Sequence, residues 1–229
     1  SSDLGIHMSR LYRLLERLAR QLLTGAPAET VLETATRAEW EPPTTLTAVL
    51  MPDSQVRPVL VSLPGATIAV AEAPDIEEGG LLLVPDAHGR ARGALLRTLE
   101  GRDAVAGPAR PWLEASASLD RARRAKALGL GPDTEAHLPA LVLAADADAR
   151  ADLRAAVLAP LDDLRPATAE KLTETLRAWL LHQGRRDAVA EELFVHPQTV
   201  RYRMGQLREL FGDDLEDPAT VLALVIALG

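Results

Sequence analysis

The 229-residue chain is long enough for one large domain or two ordinary ones, and its 47% hydrophobic content can fill real cores, which excludes a disordered tail. Having no cysteine, it cannot form disulfides, a cysteine-bound zinc site or a thiol nucleophile, and no apolar run approaches the roughly 20 residues a membrane-spanning helix needs. A formal charge of -8 works against broad attraction to phosphate, and 3% aromatic content favours packing by small and aliphatic side chains over an aromatic-lined pocket.

The opening "SSDLGIHM" reads as an expression remnant over residues 1–8, with natural sequence expected from about Met8 or Ser9. From Ser9 to Leu23, Leu11, Leu14, Leu15, Leu18 and Leu22 recur at three- and four-residue spacing between Arg10, Arg13, Arg17 and Arg20, the pattern of an amphipathic helix. A second helix is expected from Ala28 to Ala38, ending before the "WEPP" breaker at Trp40–Pro43. The period then changes. "TLTAVLM" (Thr45–Met51), "RPVLVSL" (Arg57–Leu63), "ATIAVAEA" (Ala66–Ala73) and "GLLLVP" (Gly80–Pro85) are short apolar or alternating runs bounded by Pro, Gly and Asp, and read as strands. Helices are expected at Gly89–Glu100 and Pro111–Leu128, with a short strand at Asp103–Gly107 between them, and a further helix at about Ala149–Leu161. "DDLRPAT" then reads as a linker, and everything beyond Thr168 as helical. The expected architecture is α+β: an α/β module over residues 9–161 and an all-α domain over 168–229.

In the second part, a helix from about Thr168 to His182 places Leu172, Leu176, Trp179 and Leu180 on one face and stops at Gly184. A short helix from about Asp187 to Leu193 follows, then "FVH", then Pro197 at the first position of a third helix, where its missing N–H costs nothing. Two short helices joined by a tight turn, the second polar and basic, form the helix-turn-helix pattern. At about 100° per residue, Val200, Met204, Leu207 and Phe211 fall in one sector and mark the core side. Gln198, Tyr202, Gly205 and Glu209 lie opposite, with Thr199, Arg201 and Gln206 on the flanks. Amides and guanidinium groups pair bidentately with base edges, while hydroxyls and a helix N-terminus hold phosphates. Residues 195–208 contain Arg201, Arg203 and Arg208 and no acid, whereas residues 169–211 as a whole carry a net charge of only +1. Spacing alone leaves a DNA-reading domain and a plain helical bundle both open.

The stretch "LTETLRAWLLHQG", with "AVAEELFVHPQTVRYRMGQLRELFGDDLEDPATVLALVIAL", resembles the C-terminal helix-turn-helix domain of PucR-type regulators (purine catabolism and sugar diacid regulators) from Leu172 to Leu228. The resemblance implies that His196, Thr199, Arg201, Tyr202 and Arg203 sit in the turn and recognition helix, and that the helix after Asp217-Pro218 completes the domain's core. Arg185-Arg186-Asp187 stands where the family has Asn, and Pro197-Gln198 where many relatives have Arg and Asn. Upstream, "WEPPTTLTAVL" and "LDRARRAKALG" resemble that family's regulatory module, a degenerate GGDEF-like domain. The cyclase signature itself is missing, since Gly79-Gly80 lead into three leucines with no acid to hold magnesium.

Other chemistries find little support. His7, His88, His137, His182 and His196 are too dispersed for a metal site, the acid pairs Asp162-Asp163 and Asp213-Asp214 sit in linker or turn context, and "DAHGRARG" (Asp86–Gly93) reads as a β-to-α turn. The expectation is a cytoplasmic, non-enzymatic regulator without cofactor or metal, binding double-stranded DNA as a homodimer and answering to an unidentified small-molecule effector. Gln198, Thr199, Arg201, Tyr202, Arg203 and His196 are the expected DNA-contact residues, and Arg185, Arg186 and Arg208 the expected phosphate contacts. The competing expectation is a ligand- or protein-interaction module whose helix-turn-helix no longer binds DNA. The Leu stripe of residues 9–23 and the apolar excess of the terminal helix are the candidate dimer seams.

Overall fold

In the computed structural model, which describes residues 2–71 and 79–229, the chain divides into two compact units, Ser1–Leu141 and Val142–Gly229. The first unit opens with helices α1 (Ser2–Thr24) and α2 (Ala28–Arg37), so residues 2–8 of the stretch read as an expression remnant lie within the first helix. Strands and helices then follow in the order β1 (Thr45–Met51), α3 (Asp53–Leu60), β2 (Ile68–Val70), β3 (Gly80–Pro85), α4 (Arg90–Leu99), β4 (Val105–Ala106), β5 (Arg110–Pro111) and α5 (Ala115–Ala127). The sheet is antiparallel in the order β2-β3-β1-β4, with β5 paired to the start of β1. Residues 72 and 73, at the end of the third expected strand, lie outside the described residues.

Both faces of this sheet are covered, which is why its central strands read as almost unbroken apolar runs. Alternation still sorts their side chains. Leu46, Ala48 and Leu50 of β1 join Leu81 and Leu83 of β3 in a core closed by α1, α2 and α5, while Val49, Met51, Leu82 and Val84 point the other way onto α3 and α4. The expected strand at Arg57–Leu63 is instead α3 and the turn after it. Val56, Val59 and Leu60 keep helical spacing against the sheet, with Asp53 in the first turn where a carboxylate favours the helix dipole; Val61, which completed the apparent alternation, is 88% exposed. The "DAHGRARG" segment forms the β3-to-α4 turn, and buried Arg92 in it donates to the Gly107 carbonyl at 2.9 Å while pairing with Asp133 and Glu135.

Helix α6 (Leu138–Leu143) spans the division between the units. The second unit comprises α7 (Ala147–Leu158), α8 (Pro166–Leu181), α9 (Arg186–Glu192), α10 (Pro197–Phe211) and α11 (Pro218–Leu228). The sequence boundary of 161 for the first module moves to Leu141, because α7 packs along α11 and Val157, Leu158 and Leu161 belong to the helical core. That core is centred on Leu172, Leu176, Val200, Met204, Leu207 and Leu224.

Asp217 starts α11 as its N-cap. Its carboxylate accepts the Thr220 backbone N–H at 2.8 Å and the Thr220 hydroxyl at 2.8 Å, and these hydrogen bonds hold its pKa below the usual carboxylate value. A lowered folded-state pKa adds stability that is complete above the unfolded value of about 3.9 and is lost as pH falls through the folded value. Asp217→Ala should therefore lower the melting temperature at pH 7. Asp217→Asn, which still caps, should keep the neutral-pH melting temperature but lose less of it on acidification than the parent protein. Thermal melts of the three proteins at pH 7 and pH 3 check both outcomes.

Candidate nucleic-acid interface

Helix α8 ends because Gly184 adopts φ 74°, a conformation that favours glycine, and its N–H closes on the Trp179 carbonyl at 2.9 Å. A Cβ at Gly184 would meet the Trp179 ring at 3.2 Å, so the turn lies directly against the indole. Helix α9 leads into a tight turn in which Phe194 takes φ 52° and is 96% exposed. The next helix is capped by His196, whose Nδ1 accepts the Gln198 N–H at 3.1 Å, and Pro197 occupies its first turn. As cap acceptor, Nδ1 carries no proton, which places the ring N–H on Nε2. Helices α8 and α9 are braced by Glu192, which meets both Arg177, at 3.3 Å, and His182.

The core side of α10 is the expected one: Val200, Met204, Leu207 and Phe211 are all buried. Gln198, Arg201, Tyr202 and Arg208 are exposed, and Thr199, Gly205 and Gln206 are half-buried. Arg203 behaves differently from its neighbours. Half-buried, it donates to the Thr175 hydroxyl at 3.2 Å and so turns back towards α8. Four of the arginines meet in one place: Arg185, Arg186, Arg201 and Arg208 line a groove of about 660 Å³ together with Trp179 and Asp187. Among the described residues, Asp187 is the only acid lining it, and it lies 3.8 Å from Arg186. Arg185 donates through Nε to the His182 carbonyl at 3.2 Å, and the Arg208 guanidinium carbon stands 5.5 Å from the centre of the Trp179 ring.

Sequence spacing missed two participants. Trp179 reads from the sequence as an ordinary apolar-face residue of α8, and its pairing with Arg208 crosses from one helix to another. Phe194 carries the turn in a conformation seldom taken by a bulky residue, and the one sequence sign of it is an aromatic between two helices.

Residues 172–229 match the family described as the PucR C-terminal helix-turn-helix domain. This segment is a PucR-type helix-turn-helix domain. Within the PucR domain, α9 and α10 are the helix-turn-helix pair, while most of α8 and all of α11 supply the core beneath it. The chain is 40% identical over 90 residues to uncharacterized proteins of Mycobacterium bovis and Mycobacterium tuberculosis, a match that takes in 39% of this chain and 21% of each relative. It thus spans about a fifth of the length of these relatives. A protein of Thermomonospora curvata described as lying in the pkwA 5' region is 38% identical over 107 residues, covering 46% of this chain and 58% of that one. Among solved structures, the chain is similar to a regulator of polyketide synthase expression from Bifidobacterium adolescentis, with 22% identity, a TM-score of 0.44, and coverage of 94% of this chain and 96% of that one. Among the described residues, no helix is long and apolar enough to cross a membrane.

Proposed function

We propose that this protein is a sequence-specific, DNA-binding transcriptional regulator that works in the cytoplasm. The observation that carries the reading is α10: a helix of a PucR-type domain with no acid before Glu209, whose buried stripe leaves Gln198, Arg201 and Tyr202 on the open side. Gln198 and Arg201 are suited to base edges, Thr199 and Tyr202 to the sugar-phosphate backbone. Arg185, Arg186 and Arg208 are suited to phosphates. His196 serves this surface by capping the helix, and Arg203 by holding it to α8 rather than by reaching outward.

The first unit is the proposed regulatory module, answering to a small-molecule effector, and the protein is proposed to act as a homodimer so that two half-sites add their contacts. Leu4, Ile6, Met8 and Tyr12 of α1, and Leu222 and Ile226 of α11, are exposed apolar side chains that such a dimer can cover. The test is a mobility-shift titration of the full chain on DNA from upstream of its own gene, at increasing salt. A salt-sensitive shift that Arg201→Ala weakens is the expected result; no shift at any salt favours an interaction module instead.

Gly205 supplies an independent check. A Cβ at this position would meet nothing within 4 Å, so no packing inside the protein calls for glycine there. If the bare backbone is kept for close approach to a duplex, Gly205→Ala should stabilise the helix by up to about 1 kcal/mol while weakening DNA binding. Parallel melting and binding measurements should move in opposite directions.

A further inference from the structure

The arginine groove is overcharged for a surface that stays empty. Arg201 and Arg208 make no ion pair among the described residues, Arg185 spends one N–H on a carbonyl, and Asp187 answers only Arg186. Four guanidinium groups converging with a single acid repel one another, and a bound anion relieves that repulsion. A second hollow, of about 450 Å³, is lined by Arg208 and Trp179 together with Asp213 and Glu216. Arg208 and Trp179 border both hollows, so the arginine side chain adjoins a basic groove and a hollow that carries two carboxylates. The indole decides between them. Seated against side-chain-free Gly184, it offers its face to the guanidinium and leaves the N–H donors of Arg208 free at its edges.

We infer that Arg185, Arg186 and Arg208 of this groove clamp the backbone phosphates of duplex DNA beside the base-reading Arg201, and that Trp179 is a positioning residue holding Arg208 in that clamp rather than turned to Asp213 and Glu216. The inference rests on the DNA-binding reading and deepens it, because it names a residue of α8 that sets the register of α10 on the duplex. Phosphate contacts carry no sequence information themselves; they fix where the base-reading side chains fall.

The experiment uses the full chain and a duplex enriched by it from a random-sequence pool. Failure to enrich any duplex overturns the DNA-binding reading itself, before the groove is tested. With a duplex in hand, dissociation constants are measured by fluorescence anisotropy across a potassium chloride series. Arg208→Ala should weaken binding and reduce the salt slope by about one. Trp179→Leu should weaken binding about threefold when Arg208 is present and leave it almost unchanged in the Arg208→Ala background, while Trp179→Phe, which keeps an aromatic face, stays near the parent value. A Trp179→Leu loss that is equal in both backgrounds, a Trp179→Phe loss as large as that of Trp179→Leu, or a duplex affinity indifferent to Arg208 would each overturn the inference. So would competition by inorganic phosphate beyond that of potassium chloride at equal ionic strength, since the groove would then be a site for a free anion.

Discussion

Replacing Arg201 by alanine is expected to lower affinity for a selected duplex by about one to two orders of magnitude and to flatten its preference among related sequences. Arg201 is exposed, makes no ion pair among the described residues, and sits on the same open side of α10 as Gln198 and Tyr202. Its donors are therefore available to a base edge without first breaking a bond inside the protein. The same substitution at Arg203 should act through a different quantity. Arg203 holds the hydroxyl of fully buried Thr175, so its loss loosens α10 on α8 and shows in thermal stability more than in base preference. Binding measured on the selected duplex and on single-base variants separates the two: Arg201→Ala makes the variants more alike, whereas Arg203→Ala weakens them in parallel. A flat response to Arg201→Ala would move base reading to Gln198 and Tyr202.

The helix-turn-helix was legible because its cues agree. Gly184 ends one helix, Pro197 begins another, and the buried stripe Val200, Met204, Leu207 and Phe211 keeps a period of 3.6 with no competing alternation. In α3 the cues conflict. Pro58 and the valines at 59 and 61 imitate a strand, and only packing against the sheet settles that Val59 is buried and Val61 is not. The division between the units was hidden for another reason: α7 buries no residue completely, so its Ala-rich sequence carries no stripe to say which core it joins. The site shows the same limit. Arg185, Arg186, Arg201 and Arg208 were each identifiable as exposed cations, but their convergence on one groove, the indole beneath Arg208, and the inward turn of Arg203 depend on contacts between residues distant in sequence.

Leu207→Ala should destabilise the helical unit by about 2–5 kcal/mol, the range for a leucine removed from a core that cannot collapse around the gap. Leu207 is fully buried among Leu172, Leu176, Val200 and Leu224, whereas Leu210, three residues later on the same helix, is 37% exposed and should tolerate alanine with a change within about 0.5 kcal/mol. The loss should be confined to one unit, since the core around Leu207 contains no residue before Val157. The tryptophans make this measurable. Trp40 and Trp112 pack together in the first unit with ring centres 5.8 Å apart, while Trp179 belongs to the second. A protein in which Trp40 and Trp112 are replaced by phenylalanine reports denaturation of the helical unit alone, and one carrying Trp179→Phe reports the other. Leu207→Ala should shift the first transition and leave the second in place; a common shift of both would mean that the two units unfold as one cooperative body. Because α10 cannot present Arg201 unless Leu207 holds it to α8 and α11, DNA binding should fall with the fraction of helical unit folded and recover on cooling wherever the first transition is reversible.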